Sequence, residues 1–433
     1  MRAAEHLSAQ HLIRRRRFTV DDATLIDTTR DSGRSAPDRH ATSSAPQSTT
    51  SSTVRTTVLP RVSIEGEMPQ LVHTARERFE TAKVLGRGGV GEVVLARDND
   101  IDRPVAIKRL LPEFDDAGIV SRFVDEIRVH GSLDHPNIVP VHDVGVDADG
   151  RYYYVMKFVE GETLEDIIEK LSKGDAEYHA RYTFERRVEI FRQVLRGVQY
   201  AHARGVIHRD IKPANVMVGR YGEVLVMDWG LARRIHADEM KFPVHDGAMT
   251  LTAPKGPRSS DARMQTVAGS LLGTPAYMSP EQARGDHEHV NERSDIYSLC
   301  VMLHELMTLD HYLSKKGSVA ECVVGAQNEE VPFAAHMKSA HQPPVPADLA
   351  HFIRHGVAKN PFERYRSVTE MLDRLQSIEE GHCPVECPAT FMKRMGTETS
   401  HAIDRRPFMM IGVVGAAILL ALLGLAVTVS TLL

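Results

Sequence analysis

Apolar and polar positions divide this chain into three stretches of different texture. Residues 1 to about 75 show no periodicity and are rich in Ser, Thr, Arg and Asp. From Asp31 to Thr57 there is almost no large apolar residue, too few to offset chain entropy, so this stretch is expected to be disordered. Periodic sequence starts near Arg78 and runs to about Ile378. It opens with alternating, β-rich runs such as Thr81–Leu85 and Glu92–Ala96, then passes to longer helical patterns, Ile119–Ser132 and Arg186–Ala203 among them. No internal repeat is visible. The third stretch, Phe408 to Leu433, passes 26 positions (433 − 408 + 1) without a charged residue. That is enough to cross a ~30 Å hydrocarbon core as a helix, and a run apolar on every side is too long for an ordinary core helix. The expected organisation is therefore a Ser/Thr/Arg-rich tail over 1–77, a folded domain over 78–380, a juxtamembrane linker over 381–407 and a transmembrane helix over 408–431.

Lys393, Arg394, Arg405 and Arg406 precede the apolar run. Positive flanks stay on the cytoplasmic side, so the large N-terminal portion is expected there, on a single-pass protein of the cell (inner) membrane with no outer sensor domain in this chain. Composition changes little in this picture. The chain is 42% apolar and 26% charged with a formal net charge of -5, which gives no sign of nucleic-acid binding. Four cysteines, Cys300, Cys322, Cys383 and Cys387, are too few for a disulfide framework. Cys383 and Cys387 with His382 lack both the usual zinc spacing and a second ligand pair, so a zinc site is not expected. Arg14 to Arg17 are followed by Asp21, Asp22 and Asp27 instead of an apolar run, which argues against an export signal. These arginines read equally well as a solvated charge run or as a weak attraction to anionic lipid.

The candidate chemistry lies in the periodic region. Gly86, Gly88 and Gly91 form Gly-x-Gly-x-x-Gly between two strand-like runs. Glycines allow close approach of the backbone to phosphate oxygens, although the spacing alone is weak evidence. A Rossmann loop would open a helix instead. Val105-Ala-Ile-Lys108 follows, and a lysine closing an apolar strand can reach phosphates, with Glu126 on the next helical stretch as a partner for its ammonium. The most informative segment is His208-Arg-Asp210-Ile-Lys212-Pro-Ala-Asn215, followed by Asp228-Trp229-Gly230 after a β-like run. Here Asp210 can accept a hydroxyl proton, Lys212 can neutralise phosphoryl charge, and Asn215 and Asp228 can hold a metal ion.

Taken together, these motifs resemble the protein kinase superfamily, and in particular the bacterial eukaryotic-like (Hanks-type) Ser/Thr kinases, over about residues 79–378. The resemblance implies an α+β, bilobal fold, with a β-rich N-lobe (78–159) and a helical C-lobe (160–380) around ATP. It implies Asp210 as catalytic base, a Lys108–Glu126 pair, and Asn215 and Asp228 as ligands of Mg²⁺ (or Mn²⁺). Lys212 and Thr274 match the Ser/Thr pattern. Leu85, the three glycines, Val93, Ala106, Lys108 and Met217 would surround the nucleotide, with Met156 as gatekeeper and Lys157 to Val159 as hinge. Glu281 would pair with Arg364 structurally.

Arg209 would meet a phosphorylated residue of an activation segment that is long here, 54 residues from Asp228 to Glu281 (281 − 228 + 1). Thr266 is the first candidate for autophosphorylation, Ser270 the second, and Thr250 and Thr252 are weaker. Two positions depart from the family pattern. Trp229, the only tryptophan, stands where Phe is usual, and His130 stands where an apolar residue normally packs against that aromatic. His130 is read chiefly as an inert histidine, with pH sensing as the lesser reading. Expected partners are ATP, protein substrates bearing Ser or Thr, and the membrane. A phosphothreonine-binding partner of the tail (Thr24, Thr28, Thr29) and a homodimer are further possibilities, and no nucleic acid is expected. The competing function is that of a pseudokinase acting as a membrane-anchored nucleotide-binding scaffold.

Overall fold

Antiparallel strands form the first half of the fold. The computed structural model describes residues 55–65, 68–72, 76–234, 274–382 and 385–395. A hairpin of β1 (Arg61–Glu65) and β2 (Met68–Val72) precedes a five-stranded antiparallel sheet. That sheet contains β3 (Phe79–Arg87), β4 (Gly91–Asp98), β5 (Arg103–Leu110), β6 (Val141–Val146) and β7 (Tyr152–Lys157), in the order β3-β4-β5-β7-β6. In β4, Val94 and Ala96 are buried on one face, while Val93 and Leu95 lie on the other. Helix α1 (Ala117–Gly131) crosses the sheet. It starts at Asp116, whose carboxylate accepts from the N–H groups of Gly118 and Ile119 at 2.8 and 3.3 Å. Phe123, Glu126 and His130 fall on one helical face and are all buried, so the face that packs on Tyr154 also delivers a carboxylate.

The second half is helical. It runs through β8 (Gly161–Thr163), α2 (Leu164–Ser172), α3 (Ala176–Arg181) and α4 (Phe184–Ala203). The short strands β9 (Val206–Ile207), β10 (Val216–Gly219), β11 (Val224–Val226) and β12 (Arg233–Arg234) follow. After residue 274 come α5 (Pro280–Ala283), α6 (Glu292–Thr308), α7 (Val319–Asn328), α8 (Ala347–Gly356) and α9 (Val368–Glu379). Helix α6 is buried almost all round, which is why its sequence carries little amphipathic signal. Its start is a capping box of Asn291 and Ser294, and Leu309 ends it at φ 62°.

Order begins earlier than position 78, inside the stretch read as a disordered tail. The N–H groups of Val58 and Leu59 donate to Asp100 Oδ1 at 2.7 and 2.9 Å. Arg78 N–H donates to Arg55 C=O at 2.9 Å. The Arg78 side chain reaches Asp98 at 3.3 Å and Asp143 at 3.1 Å, and Arg55 also bonds Asp143. These partners stand far along the chain, where local composition does not reveal them. The remaining tail, the candidate phosphosites Thr266 and Ser270 with Thr250 and Thr252, Cys383 and the apolar run 408–433 lie outside the described residues.

Candidate active site

The glycine loop joins β3 to β4, with Gly88 N–H donating to Gly91 C=O at 2.8 Å. A Cβ at Gly91 would stand 2.9 Å from the Arg109 carbonyl oxygen, so only glycine fits there. Buried Glu92 pins the loop, accepting from Arg87 at 3.1 Å and Arg109 at 2.9 Å. Burial alone would raise its pKa, but the two arginines hold the carboxyl below the usual range.

Sheet register then builds the cleft. Val93 stands opposite Gly86 on one side and Lys108 on the other, and Lys108 stands opposite Tyr154. In the adjoining row Ala106 faces Met156. Met156 and Met217 pack on the apolar cluster of Val139, Val159 and Leu225, which brings together three of the residues expected around the nucleotide. Backbone N–H of Lys157 donates to Pro140 C=O at 3.2 Å, and the Lys157 side chain is exposed. Leu85 is exposed on β3, beside the loop.

Lys108 Nζ donates to Glu126 Oε1 at 2.6 Å and to Asp228 Oδ1 at 3.0 Å, while Tyr154 O–H donates to the same Glu126 oxygen at 2.8 Å. Burial opposes the lysine's charge, yet Asp228, Tyr154 and Glu126 raise its pKa well above the ordinary value. Asp228 is lowered to about 2: burial would raise it, and Lys108 outweighs that. Its φ of 62° is left-handed, a cost that the neighbouring contacts must hold.

The catalytic loop is organised from α6. Asp295, fully buried, accepts from the N–H groups of His208 and Arg209, each at 2.8 Å, and contacts His202 Nε2 at 2.8 Å. Although burial works the other way, these bonds hold its carboxyl below the normal range. Gln282 Nε2 donates to Arg209 C=O at 2.8 Å, and Arg209 itself sits at φ 70°. His208 Nδ1 accepts from Asp210 N–H at 3.3 Å, so its other nitrogen is the one protonated, donating to Met227 C=O at 3.2 Å.

Asp210 sits at the centre of the loop. Lys212 Nζ donates to Asp210 Oδ2 at 2.7 Å and to Thr274 Oγ1 at 2.6 Å, and Thr274 N–H donates to Asp210 Oδ1 at 2.8 Å. Asn215 Nδ2 donates to the Asp210 carbonyl at 2.8 Å, and Asn215 C=O accepts from Met227 N–H at 2.9 Å, which ties the loop to the strand carrying Asp228. Asp210, Lys212, Asn215, Lys108, Glu126, Thr274 and Asp228 thus form one connected set. The Asp228 carboxylate and Asn215 amide oxygen are hard donors of the kind a divalent Mg²⁺ takes, so the residues fit that ion. Arg364 holds Glu281 through two bonds of 2.8 and 2.9 Å, fully buried, as a structural pair.

The two unusual positions, Trp229 and His130, are both buried. Trp229 is fully buried in the helical core against His208, with ring centroids 4.6 Å apart. His130 stands edge-on to Tyr154 at 5.7 Å and donates from Nε2 to Val139 C=O at 2.6 Å. Burial lowers its pKa to about 4, so it is neutral near pH 7 and carries no pH response there. Sequence reasoning missed Asp295, Tyr154 and Gln282. Each acts on a group distant in sequence.

These features define a class: a two-lobed phosphotransferase cleft with a charge-paired lysine, a hydrogen-bonded aspartate and two oxygen donors suited to a divalent cation. Residues 79–375 match the model of the protein kinase domain, and the chain belongs to that family. It is 34% identical over 316 residues to the serine/threonine-protein kinase PknD of Protochlamydia amoebophila, covering 72% of this chain and 31% of that protein. With PknD of Chlamydia abortus the identity is 35% over 316 residues, 70% and 31% of the two chains. With PknD of Chlamydia trachomatis it is 31% over 325 residues, 73% and 33%. The chain spans about a third of the length of these curated relatives.

Protein kinase domains in general use ATP, which supplies the γ-phosphoryl group, and a divalent metal ion, which neutralises its charge. The chain's own residues supply the rest. Lys108 is held by Glu126 where it can contact phosphates. Asp210 is held by Thr274 and Asn215 as a carboxylate that could accept a proton, with the positive charge of Lys212 beside it.

Proposed function

We propose that this chain is an ATP-dependent serine/threonine protein kinase, using Mg²⁺, of a bacterial signalling system. The observation that carries this reading is the Asp210–Lys212–Thr274 triangle, in which both carboxylate oxygens of the base are held by positioning donors. The candidate proton acceptor, metal ligands and phosphate lysine are all present in the sequence, so a pseudokinase scaffold would need the Trp229 and His130 changes to block the active arrangement.

The test is incubation of the full chain with labelled ATP, Mg²⁺ and a generic protein acceptor. Label on Ser or Thr is expected, falling on the order of 10²–10⁴-fold in Asp210→Asn. Lys108→Met is expected to be similarly inactive. Label that survives both substitutions would defeat the proposal.

Two finer elements belong to the same reading. Thr266, then Ser270, is the autophosphorylation site that meets Arg209, and phosphate mapping of active enzyme tests this. The apolar run 408–433 anchors the chain in the inner membrane with the catalytic domain in the cytoplasm, supported by Lys393, Arg394, Arg405 and Arg406 before the run. Resistance to alkaline carbonate extraction tests that part.

A further inference from the structure

The last described segment, a helix over 388–395, leaves its apolar residues exposed. Thr390 is its one buried residue, and every other position of the helix is exposed. Thr390 Oγ1 donates to Cys387 C=O at 2.9 Å and accepts from Glu386 and Cys387 N–H at 2.9 and 3.0 Å. Lys393 bonds Asp348 on α8. Just before the helix, Glu386 meets Arg374 of α9 and His351 of α8, each at 2.9 Å. Positions 388, 391, 392 and 395 make one stripe at i, i+3, i+4 and i+7. Of these, Phe391, Met392 and Met395 are 48%, 69% and 46% exposed, and Val385 nearby is 51% exposed. A surface helix ordinarily shows the reverse arrangement, with its apolar stripe against the core.

The chain itself points to what covers this stripe. Only residues 396–407, twelve positions, separate it from the uncharged apolar run that starts at Phe408. Fully extended, twelve residues reach roughly 40 Å. Basic Arg394 adjoins the stripe, and Arg405 and Arg406 stand at the start of the run. We infer that the 388–395 helix lies on the bilayer, with Phe391, Met392 and Met395 in the interface of an anionic leaflet and the C-lobe fixed above it through Asp348, His351 and Arg374. The domain is thereby held in one orientation instead of swinging on a free linker. This inference rests on the proposed anchoring by 408–433, and goes beyond it by naming a second contact surface and its ligand.

The experiment uses the full chain in vesicles of phosphatidylcholine and phosphatidylglycerol whose acyl chains are brominated. Native Trp229 is fully buried and serves as the internal reference. In Phe391→Trp, the additional emission is expected to be quenched severalfold relative to plain vesicles, and the Trp229 contribution to stay unchanged. Adding Met392→Asp and Met395→Asp to that variant is expected to abolish the quenching, as the apolar area is lost. Carbonate extraction of the same vesicles separates the two ideas. A chain that is stripped off defeats the anchoring and this inference with it. If the chain resists extraction while its additional emission is not quenched, the surface contact alone is refuted. Shielding from aqueous iodide without lipid quenching would assign the stripe to a protein partner, and would equally overturn the proposal.

Discussion

Tyr154 shares a single carboxylate oxygen of Glu126 with Lys108, so the catalytic ion pair depends on a phenol that takes no part in chemistry. Tyr154→Phe keeps the ring against Phe123 and His130 and removes only the donor. The expected cost is about 1 kcal/mol of stability, read from thermal unfolding. The Michaelis constant for ATP is expected to rise as Lys108 loses a fixed partner. Trp229 offers a direct optical readout. Its emission is expected to lie at short wavelength and to resist iodide, and to change on addition of a nucleotide with Mg²⁺, because Asp228 is its neighbour. Constant emission would separate the indole from the cleft. At this scale the sequence was informative wherever partners are close along the chain or belong to a fixed motif, as with Asp210, Lys212 and Asn215. It was silent on Asp295, whose bonds reach back 86 and 87 residues, while the inert reading of His130 agrees with its bond to the carbonyl of Val139.

Two elements of the helical lobe carry titratable or charged groups far from water. Glu305 on α6 accepts from Tyr277 O–H at 2.5 Å, and burial raises its pKa to about 7 from 4.5. A carboxyl whose folded pKa is raised contributes stability that is fully present below about pH 4.5 and is lost as pH rises through about 7. The associated change is on the order of 3 kcal/mol. Glu305→Gln is expected to flatten the pH dependence of unfolding across that window; a slope unchanged from the parent would assign it to another group. The Glu281–Arg364 pair links α5 to the loop before α9, and both side chains are buried. Removing one partner leaves the other charge uncompensated, so Arg364→Met is expected to cost about 3–5 kcal/mol in denaturant unfolding. Element identity was legible where one face is buried: α1 and α4 follow the helical runs Ile119–Ser132 and Arg186–Ala203 closely. Their ends moved by a turn or less, because caps such as Asp116 and Thr183 set them.

Across the whole molecule, the sheet also grips chain that precedes the kinase domain. Low apolar content made residues 55–59 look unstructured, yet acids of the β4–β5 turn and of β6 supply partners for them. Asp100→Ala removes the acceptor for two backbone donors. It is expected to speed tryptic cleavage at Arg61 and Arg76 severalfold while leaving the catalytic residues in place. The clasp closes on the turn between β4 and β5, where Asp98 pairs with Arg103, and β5 carries Lys108 near its other end. Two binding events that share one hairpin obey reciprocity: whatever factor one lends to the other is returned unchanged. If nucleotide in the cleft stiffens this hairpin, it tightens the grip on residues 55–59 by the same factor. A protein that peels that segment away would then loosen nucleotide to the same degree, making the tail's attachment a dial on ATP affinity that can be turned from outside the cleft.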